Sequence, residues 1–400
     1  MPNSERSHLP NIIAFCALQV LLAGALFGVA AWRYQLYTAP RSLPEPATEP
    51  IRVRPVYDEP AMISDEDLAR VLEKLKPRLR MNQPQINHVD HALRFWGVEA
   101  AFQDDECLSG VEMRELLLDH RRFSQAWGPK TKPFLIPDVR GGVTIRTREG
   151  QSSASHVDHT IAGLAEVGTP LDYPVIAPEG EYELRAVLEE SLRKFSLNQT
   201  EYEWSTLAYL HYLPHVKTWY TSEGQEMNWE RLADRLMRQR LAQGVCFGNH
   251  RLHALAMLLR VDETRDLLSP EARERIVSYL QDATQRLIAS QHAEGYWEAD
   301  WPGEEDDGPQ PEIVNSRLGP MADRILATGH ALEWWAFAPP EVLPPLEVRV
   351  KAAKWLVKTI DDLTPQQVQR FYTFLTHAGR ALALWRGQFP AEIFRRTEPD

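Results

Sequence analysis

Three features are scarce in this 400-residue sequence: cysteine, net positive charge and the alternating pattern of β-strands. The three cysteines, Cys16, Cys107 and Cys246, contain no CxxC pair, so the chain is neither a disulfide scaffold nor a zinc ribbon. A single Cys107–Cys246 bridge stays open, because sequence spacing supplies no geometry. The net charge of −12 argues against a nucleic-acid partner, which needs a basic face. Only residues 143–146 read as a short strand.

Charge is also missing from residues 11–32, an apolar run of 22 residues that is long enough to cross a bilayer. We therefore expect this segment to be an uncleaved membrane anchor that leaves the rest of the chain outside the cytoplasm. Two alternatives remain. One is a cleaved signal with its peptidase site at residues 29–31, and the other is an inverted anchor with a cytoplasmic domain. The flanking arginines are nearly balanced, so the positive-inside rule does not decide between them.

Composition divides the remainder of the chain. Residues 1–10 form a short tail before the apolar run. Residues 33–62 are rich in proline and predict an extended spacer that holds a domain off the membrane. Residues 63–390 predict one domain, and residues 391–400 a second short tail.

The domain is predicted to be all-α, with two kinds of helix in strict alternation. One kind is long and charged on one face, which suits an outer position; the other is short and apolar nearly all round, which suits an inner one. The outer helices are expected at about 64–80, 110–127, 182–197, 228–242, 269–290 and 345–361. The inner helices are expected at about 88–97, 155–166, 203–213, 249–260, 328–338 and 376–386. Six such hairpins predict two concentric rings, an (α/α)6 toroid.

A short pattern recurs at three of the inner helices: Asn or Ser, then His-x-x-His, then an apolar run. The copies are residues 87–93, 155–161 and 249–255. Asn and Ser are good N-caps, so the histidines are expected in the first helical turn and on one face. Helices that begin side by side would bring these histidines to one mouth of a central cavity. The third inner helix offers Glu203 and Thr206 instead.

The residues expected at this mouth are the candidate site. Neutral imidazole can serve as a base or a metal ligand, and crowding is expected to keep these histidines neutral near pH 7. Arginines and helix N-termini favour an anion. The candidate catalytic residues are His156, His159, Asp158, His250, His253 and Asp90. The candidate ligand-binding residues are His88, His91, His330, His377, Arg380 and Arg251. A divalent metal and purely architectural histidines are the alternatives, and the acidic loop 298–308 is expected to act as a lid.

The segment Gln291–Trp297 reads QHAEGYW and matches the QxxxGxW motif. The chain thereby resembles the terpenoid cyclase and protein prenyltransferase superfamily of α/α toroids, over roughly residues 64–390. In that superfamily the motif is structural. The resemblance thus implies that Gln291 caps a helix end, beside Gly295, and that Trp297 stacks nearby. The DxDD acid motif and the Asp, Cys and His zinc triad of enzymes in the superfamily are not evident here.

Three function classes stay open. The first is a membrane-tethered toroid that binds a polar, anionic or carbohydrate ligand in its central cavity. It would act as a lyase through histidine or arginine, or as a hydrolase through Asp90 and Asp158. The second is a non-catalytic binding or scaffold domain. The third is a terpenoid cyclase or prenyltransferase, which needs a deep aromatic cavity. Histidines that face an open cavity would favour an enzyme, whereas histidines packed against their neighbours would count against one.

Overall fold

A computed structural model describes residues 9–38, 42–79, 82–199, 201–303 and 318–397, and helices dominate it. The first helix, α1, spans Leu9–Thr38. Within it, Ile12–Tyr34 is long and apolar enough to cross a membrane, and none of this stretch is buried against the rest of the chain. The predicted apolar helix at residues 11–32 is therefore present.

The predicted outer set corresponds to seven helices, because one of the six is interrupted. The break lies at Asp119, whose carboxylate caps the second piece by accepting from the Arg121 backbone N–H. Ser64 and Ser269 cap two others through their hydroxyls, as N-cap chemistry favours. The set comprises α2 (Asp65–Lys74), α4 (Gly110–Leu118), α5 (His120–Trp127), α7 (Leu184–Lys194), α9 (Trp229–Arg238), α11 (Pro270–Ser290) and α13 (Leu346–Asp362).

The inner set consists of six helices that are buried over most of their length. They are α3 (Ile86–Trp96), α6 (His159–Glu166), α8 (Glu203–Tyr212), α10 (Asn249–Arg265), α12 (Pro320–Trp335) and α14 (Pro365–Leu384). Each contacts the next along the chain, and α14 contacts α3, so the contacts form a closed circuit. A last helix, α15 (Pro390–Thr397), contacts α14, α2 and α3.

The predicted N-caps of the three His-x-x-His segments are wrong. Helix α3 begins at Ile86, so Asn87 is already helical. Asn249 is the first residue of α10, and the N-cap is Gly248, which is left-handed at φ +78°. In α6 the N-cap is Asp158, also left-handed at φ +58°, so His156 lies in the turn before the helix. Left-handed residues thus redirect the chain at the starts of α6 and α10, a role that a pattern of caps and apolar residues does not reveal.

Two further inner helices begin earlier than predicted. Pro320 opens α12 and Pro365 opens α14, because proline fits the first helical turn. A capping box between Thr364 and Gln367 fixes the start of α14. Thr328 and Thr376 therefore lie inside long helices.

Three antiparallel hairpins connect the helices. Strands β1 (Leu135–Pro137) and β2 (Val143–Ile145) lead into α6, with Ile136 opposite Thr144. Strands β3 (Pro174–Ala177) and β4 (Gly180–Glu183) lead from α6 to α7, and β5 (Thr218–Tyr220) and β6 (Glu226–Asn228) lead from α8 to α9. The sequence predicted only β2. Three short 3-10 turns, at Leu241–Gln243, Val245–Gly248 and Pro340–Val342, complete the connections.

Residues 42–62, here called the strap, are not a free spacer as the sequence predicted. The strap is extended and lies across the C-terminal ends of the inner helices. The N–H of Ile51 donates to the carbonyl of His211 at 2.9 Å, and that of Glu59 donates to Trp385 at 2.7 Å. The Tyr57 ring stacks on Trp385 with centroids 5.2 Å apart, and its hydroxyl donates to the Ala338 carbonyl at 2.7 Å. The prolines keep the strap extended, and these contacts fix it to the domain.

The possible Cys107–Cys246 bridge and the acidic loop 298–308 can also be compared with the structure. Cys107 and Cys246 are both free thiols, so they form no bridge. Of the acidic loop 298–308, residues 304–308 lie outside the described part of the chain. Its beginning packs against the domain, with Trp301 buried and Glu298 paired with Arg324 at 2.7 Å.

Candidate functional site

Six imidazoles meet at the centre of the inner helices. We call them the histidine layer: His91, His156, His159, His250, His330 and His377. The closest ring centroids are those of His330 and His377, 3.9 Å apart, and of His91 and His159, 4.3 Å apart. Trp204 fills the place that α8 leaves without a histidine, 4.2 Å from the His159 ring and 4.8 Å from the His250 ring. The layer thus occupies the centre, where the sequence predicted an open cavity.

Two of the predicted site histidines, His88 and His253, lie outside the layer. His88 is half-buried, with its ring 6.0 Å from that of Tyr372. His253 lies deeper, where its Nε2 is 3.4 Å from an Arg94 guanidinium nitrogen and its ring is 5.6 Å from Phe337. The spacing of three residues therefore separates His250 and His253 into two levels along one helix.

Burial is the main cause of the lowered pKa values of five histidines in and beside the layer. It lowers the pKa values of His91, His250 and His377 well below the ordinary range, and the charge of a neighbouring histidine lowers each further. Burial also lowers the pKa of His253 to about 3 and that of His88 to about 4. The expectation of neutral imidazoles agrees with these shifts, but crowding is only the secondary cause.

Carboxylates bind the Nδ1 side of four of the six imidazoles. Asp90 lies 2.8 Å from His159 Nδ1 and also accepts from the Thr160 hydroxyl at 2.8 Å. One oxygen of Glu333 lies 3.2 Å from His330 Nδ1 and 3.0 Å from His377 Nδ1. The remaining pair is His156 Nδ1 with Glu201, at 3.0 Å. With the proton on Nδ1, each bond fixes the ring and leaves the lone pair on Nε2.

Asp158 does not join this pattern. Its carboxylate accepts from Ser191 at 2.7 Å and from Ser205 at 2.5 Å, and burial raises its pKa despite both bonds. Asp90 is likewise engaged, by His159 and Thr160. Both predicted catalytic carboxylates therefore accept internal hydrogen bonds; Asp90 is buried, whereas Asp158 is partly exposed and lines a separate pocket beside β2.

Four charged side chains, the charge quartet, lie buried beside the histidine layer: Arg94, Glu166, Glu333 and Arg380. Each arginine pairs with both carboxylates. Arg94 lies 3.1 Å from Glu166 and 2.9 Å from Glu333. Arg380 lies 2.7 Å from Glu166 and 2.5 Å from Glu333. Opposite charges alternate around the quartet, so each guanidinium is neutralised within the protein. The two predicted anion-binding arginines are thus already paired, Arg380 here and Arg251 with Glu203 at 2.9 Å.

The QxxxGxW residues bind backbone and core groups. Gln291 is the C-cap of α11. Its side-chain amide donates to the carbonyl of Gly295 at 3.0 Å and to that of Val348 at 2.9 Å. Trp297 donates from its indole N–H to the Leu287 carbonyl at 2.7 Å, and its ring lies 5.6 Å from that of Trp335. The resemblance implies a structural role for Gln291, Gly295 and Trp297. Their bonds go to backbone carbonyls and their ring contact lies in the core, as a structural role requires.

A depression of about 620 Å³ opens at the end of the inner helices opposite the strap. Of the described residues that line it, none is acidic, although the chain carries a net charge of −12. Arg370, His88 and Asn87 also line it, and the Asn87 carbonyl lies 2.8 Å from Nδ1 of His91, a member of the histidine layer. Seven amide side chains dominate the lining: Asn82, Gln83, Gln85, Asn87, Gln151, Gln366 and Gln369.

Two groups of side chains have the donors and spacing to hold a metal ion. One is Cys246, His250 and His330, and the other is His330, Glu333 and His377; in each, one ligand atom per residue lies within 4.8 Å of the others. The sequence drew attention to these histidines but not to Glu333 or Glu166. For Glu166 the available signal was a lone carboxylate on the otherwise apolar helix α6, because such a residue must find a buried partner. Glu333 shares α12 with Asp323 and Arg324 and gave a weaker signal.

No protein-family model matches this chain, and neither the curated proteins nor the solved structures give a match to it.

Proposed function

We propose that this protein is a membrane-anchored binding protein for acidic saccharides, and that the depression at the mouth is its binding site. The observation that carries the proposal is the lining, which is rich in amides and free of carboxylates among the described residues of an acidic protein. Amides donate to and accept from sugar hydroxyls. The planar guanidinium of Arg370 can donate two parallel hydrogen bonds to a carboxylate. The ligand therefore binds at the mouth rather than in the centre, which the histidine layer occupies.

The architecture in this proposal is an (α/α)6 toroid with the domain outside the cytoplasm. The closed circuit of contacts among the inner helices supports the toroid, and the single N-terminal apolar helix supports the anchor. Protease treatment of intact cells tests the topology. Cleavage of the domain from outside the cell agrees with it, and full protection until the membrane is opened contradicts it.

The binding test is equilibrium titration of the full chain, in detergent, with uronate oligosaccharides and with neutral oligosaccharides of the same length. We expect Arg370→Ala to weaken uronate binding by roughly ten-fold or more, the effect of losing a charge-assisted bond, while neutral binding changes little. The matched control is Arg238→Ala, an exposed arginine on α9 that does not line the depression. Failure of the unmodified protein to bind any of these saccharides contradicts the proposal.

A lyase is the second candidate, because His88 and Arg370 line the same depression. Burial lowers the pKa of His88 to about 4, so its imidazole is a neutral base at pH 7. His88 would take the proton next to the uronate carboxylate, the electron pair would form the C=C bond, and the C–O bond to the leaving sugar would break. Water would then protonate that oxygen. Formation of the unsaturated product, lost in His88→Ala, is the measurement that separates a lyase from a binding protein.

The other classes gain less support. A hydrolase needs two carboxylates near the bond that breaks, and the described lining of the depression has none. The isoprenoid enzymes need a deep aromatic cavity, whereas imidazoles and ion pairs in mutual contact occupy the centre here.

A further inference from the structure

We propose that Cys246, His250 and His330 form a zinc site at the edge of the histidine layer. This proposal is independent of saccharide binding, since none of the three residues lines the depression. The Cys246 sulfur and one ring nitrogen from each histidine lie within 4.8 Å of one another. A tetrahedral zinc ion with bonds of about 2.0–2.3 Å places its ligands about 3.3–3.8 Å apart. The three donors therefore need to move by only about 1 Å to close on the ion.

The two histidines offer nitrogens that lack a partner. His250 Nε2 and His330 Nε2 are both buried and make no hydrogen bond with any described residue. A buried nitrogen left unsatisfied costs about 1–3 kcal/mol. Only 4% of His250 and 2% of His330 is exposed. A zinc ion would satisfy both nitrogens at once.

Glu333 prepares His330 for this role. Its carboxylate lies 3.2 Å from His330 Nδ1, which places the proton there and leaves the Nε2 lone pair for an ion. Histidines that bind zinc commonly donate their other N–H to a carboxylate, which fixes the ring and raises its basicity. The negative charge of Glu333 also favours a nearby cation.

The backbone holds the Cys246 thiol in position. Cys246 and Phe247 both adopt the left-handed region, at φ +52° and +59°, a conformation that costs non-glycine residues about 1–2 kcal/mol each. The chain then turns at Gly248, where an added Cβ would lie 2.7 Å from the Leu241 carbonyl oxygen. The Asn249 amide closes the turn by donating to the Cys246 carbonyl at 3.1 Å.

The donor set selects the ion. One sulfur and two imidazole nitrogens suit zinc, whereas calcium and magnesium prefer oxygen ligands. Three protein ligands leave the fourth position to water, as in zinc sites that exchange a ligand. Cys246 is half-buried, which is consistent with access to that position. Burial and the carboxylates of Glu201, Glu333 and Glu203 raise the pKa of this thiol, so zinc would displace its proton on binding.

The test uses the full chain in detergent, stripped with a chelator and then loaded with Zn²⁺ or Co²⁺. We expect about one zinc ion per chain by elemental analysis and a thiolate-to-cobalt absorption band. Cys246→Ser should remove the band and weaken zinc binding by at least roughly 100-fold, since loss of even an outer-shell partner costs 10- to 100-fold. Cys107→Ser, at a buried thiol outside the site, is the matched control and should change neither the band nor zinc binding. Absence of stoichiometric zinc in the unmodified chain overturns the proposal, as does unchanged binding by Cys246→Ser.

A second measurement needs no variant. Alkylation of the native chain, read by mass spectrometry, gives the modification rate of each cysteine separately. Zinc should slow the alkylation of Cys246 at least ten-fold, because a thiolate bound to the ion is blocked, and leave Cys107 unchanged. An equal rate for Cys246 with and without zinc overturns the proposal even if Cys246→Ser does not fold.

Discussion

At the scale of single residues, Glu166 shows how the centre of the domain tolerates charge. Burial opposes its ionisation, but the charges of Arg94 and Arg380 outweigh this effect and lower its pKa to about 2. We expect Glu166→Gln to lower the free energy of unfolding by about 3 kcal/mol, because it leaves two buried guanidiniums with one carboxylate. Urea unfolding followed by tryptophan fluorescence measures the loss.

An exposed pair provides the control for this prediction. Arg54 and Glu392 pair at 2.8 Å, with 54% and 31% of their side chains exposed. Glu392→Gln should cost less than about 1 kcal/mol, as solvent weakens such pairs. Equal losses in the two variants would show that the charge quartet does not stabilise the fold.

Gly295 provides a residue-scale test of the QxxxGxW turn. Its φ is +113°, and an added Cβ would lie 2.5 Å from the Lys351 carbonyl oxygen. Gly295→Ala should therefore destabilise the domain by about 3 kcal/mol, the sum of left-handed strain and overpacking. Gly128→Ala is the control, because Gly128 has φ +84° but open space around the added Cβ. It should cost only the backbone strain, about 1–3 kcal/mol and less than the loss at Gly295, and equal losses would rule out the close approach as the reason for glycine at Gly295.

At the scale of elements, the strap is as much a part of the domain as the helices it crosses. Tyr57→Ala removes a half-buried ring stacked on Trp385 and should cost about 2 kcal/mol. Tyr57→Phe keeps the ring and loses only the bond to the Ala338 carbonyl, so it should cost about 1 kcal/mol. Thermal unfolding of the full chain can rank the two variants. If neither changes the melting temperature, the strap does not contribute to stability.

The elements also show how far the sequence alone could go. Helical periodicity located both sets of helices, because polar-faced and all-apolar helices differ in composition. The N-caps of α6 and α10 were missed, since the left-handed residues Asp158 and Gly248 fix the entry to these helices and carry no periodic signal. The strap did carry a periodic signal. Ile51, Val53 and Pro55 alternate with exposed residues, as expected of an extended segment that packs one face against the domain. Its prolines drew attention away from this alternation.

The candidate site was only partly predictable. The His-x-x-His segments supply four of the six histidines that converge, but sequence cannot show whether convergence leaves a cavity or fills one. That outcome depends on how closely the inner helices approach one another, which side-chain packing sets. Arg380 seemed available to an anion, because its partners Glu166 and Glu333 are distant in sequence and follow no shared spacing.

At the scale of the whole molecule, the buried histidines predict that the domain is sensitive to acid. In the unfolded chain histidines protonate near pH 6.5, whereas burial lowers the pKa of folded His253 to about 3. The unfolded state thus binds more protons below pH 6.5, and stability falls with pH. Each strongly shifted histidine should cost about 2 kcal/mol by pH 5. Glu166 adds to this loss only as the pH falls from 4.5 towards about 2.

Urea unfolding at pH 8, 7, 6 and 5 checks this prediction. We expect little change between pH 8 and 7 and a steep loss of stability below about pH 6.5. His253→Gln, which removes one of the groups, should give a shallower slope. A free energy of unfolding that stays constant from pH 8 to pH 5 would contradict the lowered pKa values of the buried histidines His91, His250, His253 and His377.

The strap has a consequence for how the protein meets its surroundings. Only three residues separate Thr38, at the end of α1, from Ser42, where the strap begins, a reach of at most about 15 Å. With α1 in a membrane, as proposed above, this short link would hold the face that the strap covers next to the bilayer, and the depression at the opposite end of the inner helices would point away from it. Many anchored copies would then present their proposed binding sites on the same side, and one long polymer could engage several at once and gain avidity that no single copy has.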